Sequence, residues 1–179
     1  MKRGLKLNNK GLTLIELMIG LSLFSMIMAA VFTFLVMNIN FSNIAQDEIY
    51  IQEQVRNAMK VITDLSIDKE SYEAVKNLDC TTLTLYEGEK PISFTYVPAD
   101  SENNIPSLIK YVYTDTNANE VSKVIASDIV LFEVVNINDR CFNVTIQGMK
   151  NEGSKNETSF ELTSQIFLRN YKEPEEPSA

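Results

Sequence analysis

From Leu12 to Met37, 20 of 26 residues are apolar, and the single charge among them is Glu16. As a helix, such a run rises about 1.5 Å per residue to roughly 39 Å, more than the roughly 30 Å hydrocarbon core of a bilayer. A secretory h-region is shorter, about 7–15 residues. The run is therefore long enough to span a membrane. A cleaved secretory signal is the alternative, but the apolar pattern continues straight through Ser22, Ser25 and Ala29. Lys2, Arg3, Lys6 and Lys10 precede the run, and no charge occurs between Leu17 and Gln46. That asymmetry puts the N-terminus in the cytoplasm and the rest of the chain outside.

Glu16 is the residue that needs a reason, because a carboxylate in a spanning segment is costly. Two readings stand at this stage. One is a tolerated charge near the cytoplasmic end, reaching back to water. In the other, the anion has a partner waiting. Cleavage after Gly11 would create an α-ammonium on Leu12, four residues before Glu16 and on the same helix face. The helix dipole also favours an acid in the first turn.

Lys10-Gly11-Leu12-Thr13-Leu14-Ile15-Glu16, followed by the apolar run, resembles the class III leader of type IV pilins and type II secretion pseudopilins. The resemblance implies a prepilin peptidase that cuts after Gly11 and methylates the new N-terminal Leu12. It implies a role for Glu16 in filament assembly, with Thr13 as the matching second mature position. Leu12 departs from the more usual Phe or Met. The helix-kinking proline of many pilins is also missing, since Pro91 is the first proline, so an unbroken helix is expected. Ser22, Ser25, Ala29 and Thr33 add a stripe of small residues at three- and four-residue spacing. Such a stripe either lets helices approach closely or reflects ordinary composition.

Beyond Met37 the pattern becomes one-sided. Ile44, Ile51, Val55, Ala58, Ile62 and Leu65 recur at helical spacing, with Asp47, Glu48, Gln52, Glu53, Arg56, Asn57 and Lys60 between them. No Gly or Pro falls between Leu21 and Glu87. One helix over about residues 12–65 is the expectation, its apolar stripe covered by a sheet or, alternatively, forming a coiled-coil seam. Downstream the period switches to two. Strands are expected at Thr82–Tyr86, Ile92–Val97, Leu108–Tyr113, Glu120–Ile125, Ile129–Val135 (as a buried strand), Cys141–Ile146 and Ser159–Leu168. Asp115–Asn119 reads as a hairpin loop, and Lys150–Lys155 as the loop of the last hairpin.

The fold class expected is α+β: a pilin fold with one long N-terminal helix on a mostly antiparallel sheet. The organisation divides into a basic leader (1–11), a membrane or filament-core helix (12–37), the amphipathic second half of the helix (38–66), a β-rich head (67–170) and an acidic disordered tail (171–179). The head resembles larger minor pilins and J-type pseudopilins, through Tyr111–Lys123, Ser127–Val135 and Thr163–Asn170.

Composition narrows the chemistry. The chain has no histidine, which removes the commonest general base and metal ligand. Two cysteines cannot build a Cys₄ zinc site. Net charge is −8, or 12 basic against 24 acidic residues once the leader is removed, so direct nucleic-acid binding is not expected. Cys80 and Cys141 would both lie in an oxidising compartment, and either a bridge between them or two buried thiols fits. Asp115–Glu120 resembles the opening of a calcium loop. Its sixth position is Glu120 instead of Gly, and its twelfth is Ala126 instead of Glu, so a hairpin turn is the better reading and no cofactor is expected. Asn143 and Asn156 head sequons that read as chance. The function expected is a minor pilin or pseudopilin, a structural subunit and not an enzyme. Its expected partners are prepilin peptidase, other pilins, the inner-membrane assembly platform and the membrane. Before assembly it would be a single-pass cytoplasmic-membrane protein with its head outside, and afterwards part of a surface or periplasmic filament. The alternative is a bitopic surface binding module that does not polymerise.

Overall fold

The computed structural model describes residues 13–76, 81–87, 91–100, 102, 105–115 and 119–172. The element order is α1 (Leu14–Ser66), β1 (Ser71–Lys76), β2 (Thr81–Tyr86), β3 (Ile92–Val97), β4 (Leu108–Thr114), β5 (Glu120–Ser127), β6 (Ile129–Asn138), β7 (Cys141–Lys150) and β8 (Thr158–Phe167). The chain divides into two units, Met1–Asn43 and Ile44–Ala179.

The described part of the first unit is helical from Leu14 and exposed throughout. Uninterrupted apolar residues, with neither proline nor a charge after Glu16, leave nothing to break the hydrogen-bond ladder. Mean hydropathy reaches 2.3 over an 18-residue stretch of α1, long and apolar enough to cross a membrane. Every polar side chain of this stretch with a hydroxyl after the first turn bonds its own helix. Ser22 donates to the Ile19 carbonyl at 2.8 Å, Ser25 to Ser22 at 2.8 Å, and Thr33 to Ala29 at 2.9 Å. The Asn38 amide does the same to Phe34 at 2.9 Å. The three hydroxyls enter an apolar surrounding without an unpaired donor.

In the second unit the amphipathic part of α1 buries Ile51, Val55, Ala58, Met59 and Ile62. Full burial of each larger side chain is worth about 1.5–3 kcal/mol. The stripe expected from spacing is there, with Met59 and Ser66 added. Ile44 and Leu65 are only partly covered. The stripe packs on the head, not on another helix: its core partners include Leu83, Phe94, Ile109, Ile129, Phe142, Val144 and Ile146. At its C-terminal end, carbonyls that lack helical partners are taken up by the chain after β8. Arg169 N–H donates to the Ile67 carbonyl at 2.8 Å, and the Asn170 amide to Asp68 at 3.1 Å.

The head is α+β, as expected, but its strands form two antiparallel sheets. One is a five-stranded meander, β1-β2-β3-β4-β5, and the other a three-stranded meander, β6-β7-β8. The break falls at Asp128, whose φ of 57° turns the chain between β5 and β6. Asp128 also accepts a hydrogen bond from Met149 N–H at 2.9 Å. Strand β1 is an addition to the sequence reading. Its residues, Ser71–Lys76, carry no clean alternation, and pairing with β2 in unbroken register makes it a strand. The expected buried strand at Ile129–Val135 is corrected: β6 runs to Asn138, buries only Ile129 and Phe132, and leaves Val135 and Ile137 half exposed. One face of β6 meets the core and the other meets solvent, so an apolar run need not mean burial on both faces. The expected 115–119 loop does join β4 to β5: Asn119 N–H donates to Asp115 Oδ1 and Asp115 N–H to the Asn119 carbonyl, both at 2.9 Å.

The two sheets have four edge strands, β1, β5, β6 and β8. Three helix side chains at i, i+4 and i+7 hold the C-terminal end of β5. The Tyr50 and Ser127 hydroxyls bond at 2.8 Å, Gln54 Oε1 accepts from Ser127 N–H at 3.2 Å, and the Asn57 amide donates to the Ile125 carbonyl at 3.3 Å. Strands β1 and β6 are in contact. Tyr72 of β1 ties them by donating to the carbonyls of Asn138 (2.9 Å) and Cys141 (3.2 Å), its ring 4.4 Å from that of Phe142. Strand β8 pairs with β7 alone.

Candidate functional site: the N-terminal motif

The candidate site is the start of α1. Thr13 stands just before the helix, and Glu16 lies three residues on. The Thr13 N–H donates to Glu16 Oε2 at 2.9 Å, and the Thr13 hydroxyl donates to the same oxygen at 2.8 Å. Glu16 N–H in turn approaches Thr13 Oγ1 at 3.3 Å. This is a capping box, in which the residue before the helix and the third helical residue satisfy each other's orphan donors. Leu17 N–H closes the first turn on the Thr13 carbonyl at 3.2 Å. The Thr-x-x-Glu pattern was readable in the sequence, and the two residues had been singled out there for other reasons.

The arrangement decides which oxygen of Glu16 is engaged. Oε2 takes both Thr13 donors. Among the described residues Oε1 carries no hydrogen bond, and it is aimed from a helix turn that is exposed on every side. A carboxylate so placed holds its own helix terminus and retains acceptor capacity for a cation. Gly11 and Leu12, the expected cleavage and methylation positions, lie outside the described residues. The α-ammonium reading therefore rests on Leu12 being one residue before Thr13 in the chain. Ser22, Ser25, Ala29 and Thr33 fall on one face of α1 by their spacing, all exposed. The hydroxyls on that face bond their own helix and need no partner from elsewhere.

One other reading ends differently. Cys141 is a buried free thiol, and the Gln165 amide stands 3.2 Å from its sulfur. The bridge to Cys80, one of the two readings of the sequence, is thus not formed in this structure, and Cys80 itself lies outside the described residues. Cys141 sits at the start of β7, opposite Phe167 of β8, where a small apolar-like thiol is buried without a bridge. Among the described residues, no three acidic or cysteine side chains gather into a metal site. The acidic tail, from residue 173 on, also lies outside the described residues.

Residues 6–32 match the family model of the prokaryotic N-terminal methylation motif. The match includes Gly11, Leu12, Thr13, Glu16, Ser22, Ser25 and Ala29. No curated protein and no solved structure matches the chain. The prepilin-type motif, together with the long apolar helix that follows it, fits a type IV pilin or pseudopilin.

Proposed function

We propose that this chain is a minor pilin or pseudopilin, a structural subunit of a type IV pilus-like filament. Prepilin peptidase cuts it between Gly11 and Leu12 and methylates Leu12. The assembly platform of the inner membrane then draws the subunit from the bilayer into a filament, where its apolar helix packs on the helices of neighbouring subunits. The observation that carries this reading is the methylation motif at residues 6–32, set on a helix whose one charge before Asp47 is Glu16.

Physical chemistry gives each part a task. In the membrane the exposed apolar helix is matched to lipid; in a filament it is matched to other helices. Van der Waals packing along the Ser22–Thr33 face and the pairing of Glu16 with a cation select the second state. An N-terminal ammonium is the matching cation, contributed by the same chain or by the subunit below. The head supplies no histidine, and the reading gives it a structural task without catalysis. Its size and acidic tail favour a minor subunit.

Intact-mass measurement on the mature protein tests the proposal. Loss of residues 1–11 with one added methyl supports it. Met1 retained in the filament or membrane fraction overturns it and favours a bitopic surface module.

A further inference from the structure

We infer that β8 is a self-association edge: two copies of this chain pair through it, antiparallel, about a two-fold axis at Thr163. The inference stands on β8 and does not depend on the filament reading.

Strand β8 pairs with β7 over ten consecutive residues, Thr158–Phe167, with no bulge. Among the described residues no backbone hydrogen bond reaches it from its other side. Natural proteins protect such an edge with a proline, a bulge, several charges or a covering element. Of the other three edges, β1 and β5 carry two charges each and β6 is bulged, whereas β8 carries one charge, Glu161, and no proline. An edge left long, regular and nearly uncharged is built to pair.

The occupant and register follow from parity and charge. Ser159, Glu161, Thr163, Gln165 and Phe167 are exposed, and the residues between them turn towards the core. Directly opposed residues share a face, so a partner β8 must set odd residues against odd. Two registers keep the longest overlap under that rule, one centred on Leu162 and one on Thr163. Centring on Leu162 brings Lys155, before β8, towards Arg169 of the other copy, like towards like. Centring on Thr163 sets Glu161 against Gln165 and brings Glu157, just before β8, towards Arg169, just after it, twice by symmetry. Arg169 has donors to spare, since its contact with Asp68 is 3.5 Å long and open to solvent. Glu157 engages Gly153 N–H through one oxygen, at 2.8 Å. A two-fold contact closes at two copies. In the filament reading, the dimer is a form of the subunit before assembly.

The experiment is disulfide mapping of the full chain in detergent micelles, with Cys80 and Cys141 replaced by Ser. Thr163→Cys should link to itself under mild oxidation. Ser159→Cys and Phe167→Cys should stay unlinked alone and link when the two variants are mixed. In a second arm without introduced cysteines, Arg169→Glu should lose most of the dimer seen by light scattering. Glu157→Arg combined with Arg169→Glu should restore it. Self-linking at Ser159 or Phe167, no link at Thr163, or a monomer throughout would overturn the inference.

Discussion

Gly148 of β7 lies directly against Val55 of α1. A Cβ at position 148 would stand 2.9 Å from Val55 Cγ2 and 3.0 Å from Ile51 Cγ2, closer than side-chain atoms approach. The glycine therefore sets how near the helix comes to the three-stranded sheet, and nothing in its backbone angles demands it. Gly148→Ala should destabilise the head by about 1–3 kcal/mol through overpacking. Combining it with Val55→Ala should recover part of that loss, because the two sites share one volume. Urea unfolding of the four variants of this cycle measures the coupling. Additive losses would show that the contact is not the reason for glycine.

The capping box separates two roles of Glu16 that a single alanine substitution merges. Gln at position 16 still accepts from Thr13 but cannot pair with an ammonium. Glu16→Ala and Glu16→Gln should both be cleaved normally and both enter filaments poorly. Thr13→Ala should assemble far better than either. Immunoblots of sheared filaments and of membranes, compared by size, give cleavage and entry together. If Glu16→Gln assembles like the parent chain, the charge is not what assembly needs.

Asp47 ties α1 to the end of β7. Lys150 Nζ stands 2.8 Å from its Oδ1, and the Asn151 amide donates to Oδ2 at 2.9 Å. These two contacts, Lys150 first, hold the Asp47 carboxyl below its ordinary range. The folded value is depressed, so the contribution is complete above the unfolded carboxyl pKa of about 3.9 and fades as pH falls through the folded value. Lys150 is raised, mainly by the same partner, so its share is complete below the ordinary lysine range and fades as pH rises through the folded value. Both groups are partly open to solvent, and the effect is small. Asp47→Asn should flatten the fall in urea midpoint between pH 5 and pH 2.5, with little change at pH 7. An acid profile identical to that of the parent chain would rule the tie out.

Cys141 should be masked in the folded protein and free once it unfolds. Alkylation without reductant should leave it unlabelled in native buffer and label it in denaturant. A peptide linked to Cys80 in the non-reduced digest would show instead that the mature protein carries the bridge.

The long helix, the processing motif and most of the strands were legible in sequence because each rests on local spacing. An uninterrupted apolar run needs no tertiary partner to be read as a helix. Alternation over Ile92–Val97 reproduces β3 residue for residue. Thr13 and Glu16 are three residues apart, so their contact is also local, and the Thr-x-x-Glu pattern contained it. What the sequence left open depends on residues far apart in the chain. Ser71–Lys76 becomes a strand only because β2 offers a matching edge. The sheet divides at Asp128 because the chain turns there under a positive φ. Cys141 stays a thiol where its buried environment gives it an amide neighbour. Tyr50, Gln54 and Asn57 look like ordinary polar residues of a helix until β5 lies beneath them. Gly148 looks like a weak point in a strand until Val55 fills the space its missing side chain leaves. Periodicity fixes which face of an element turns inward, whereas the tertiary structure alone decides what that face meets.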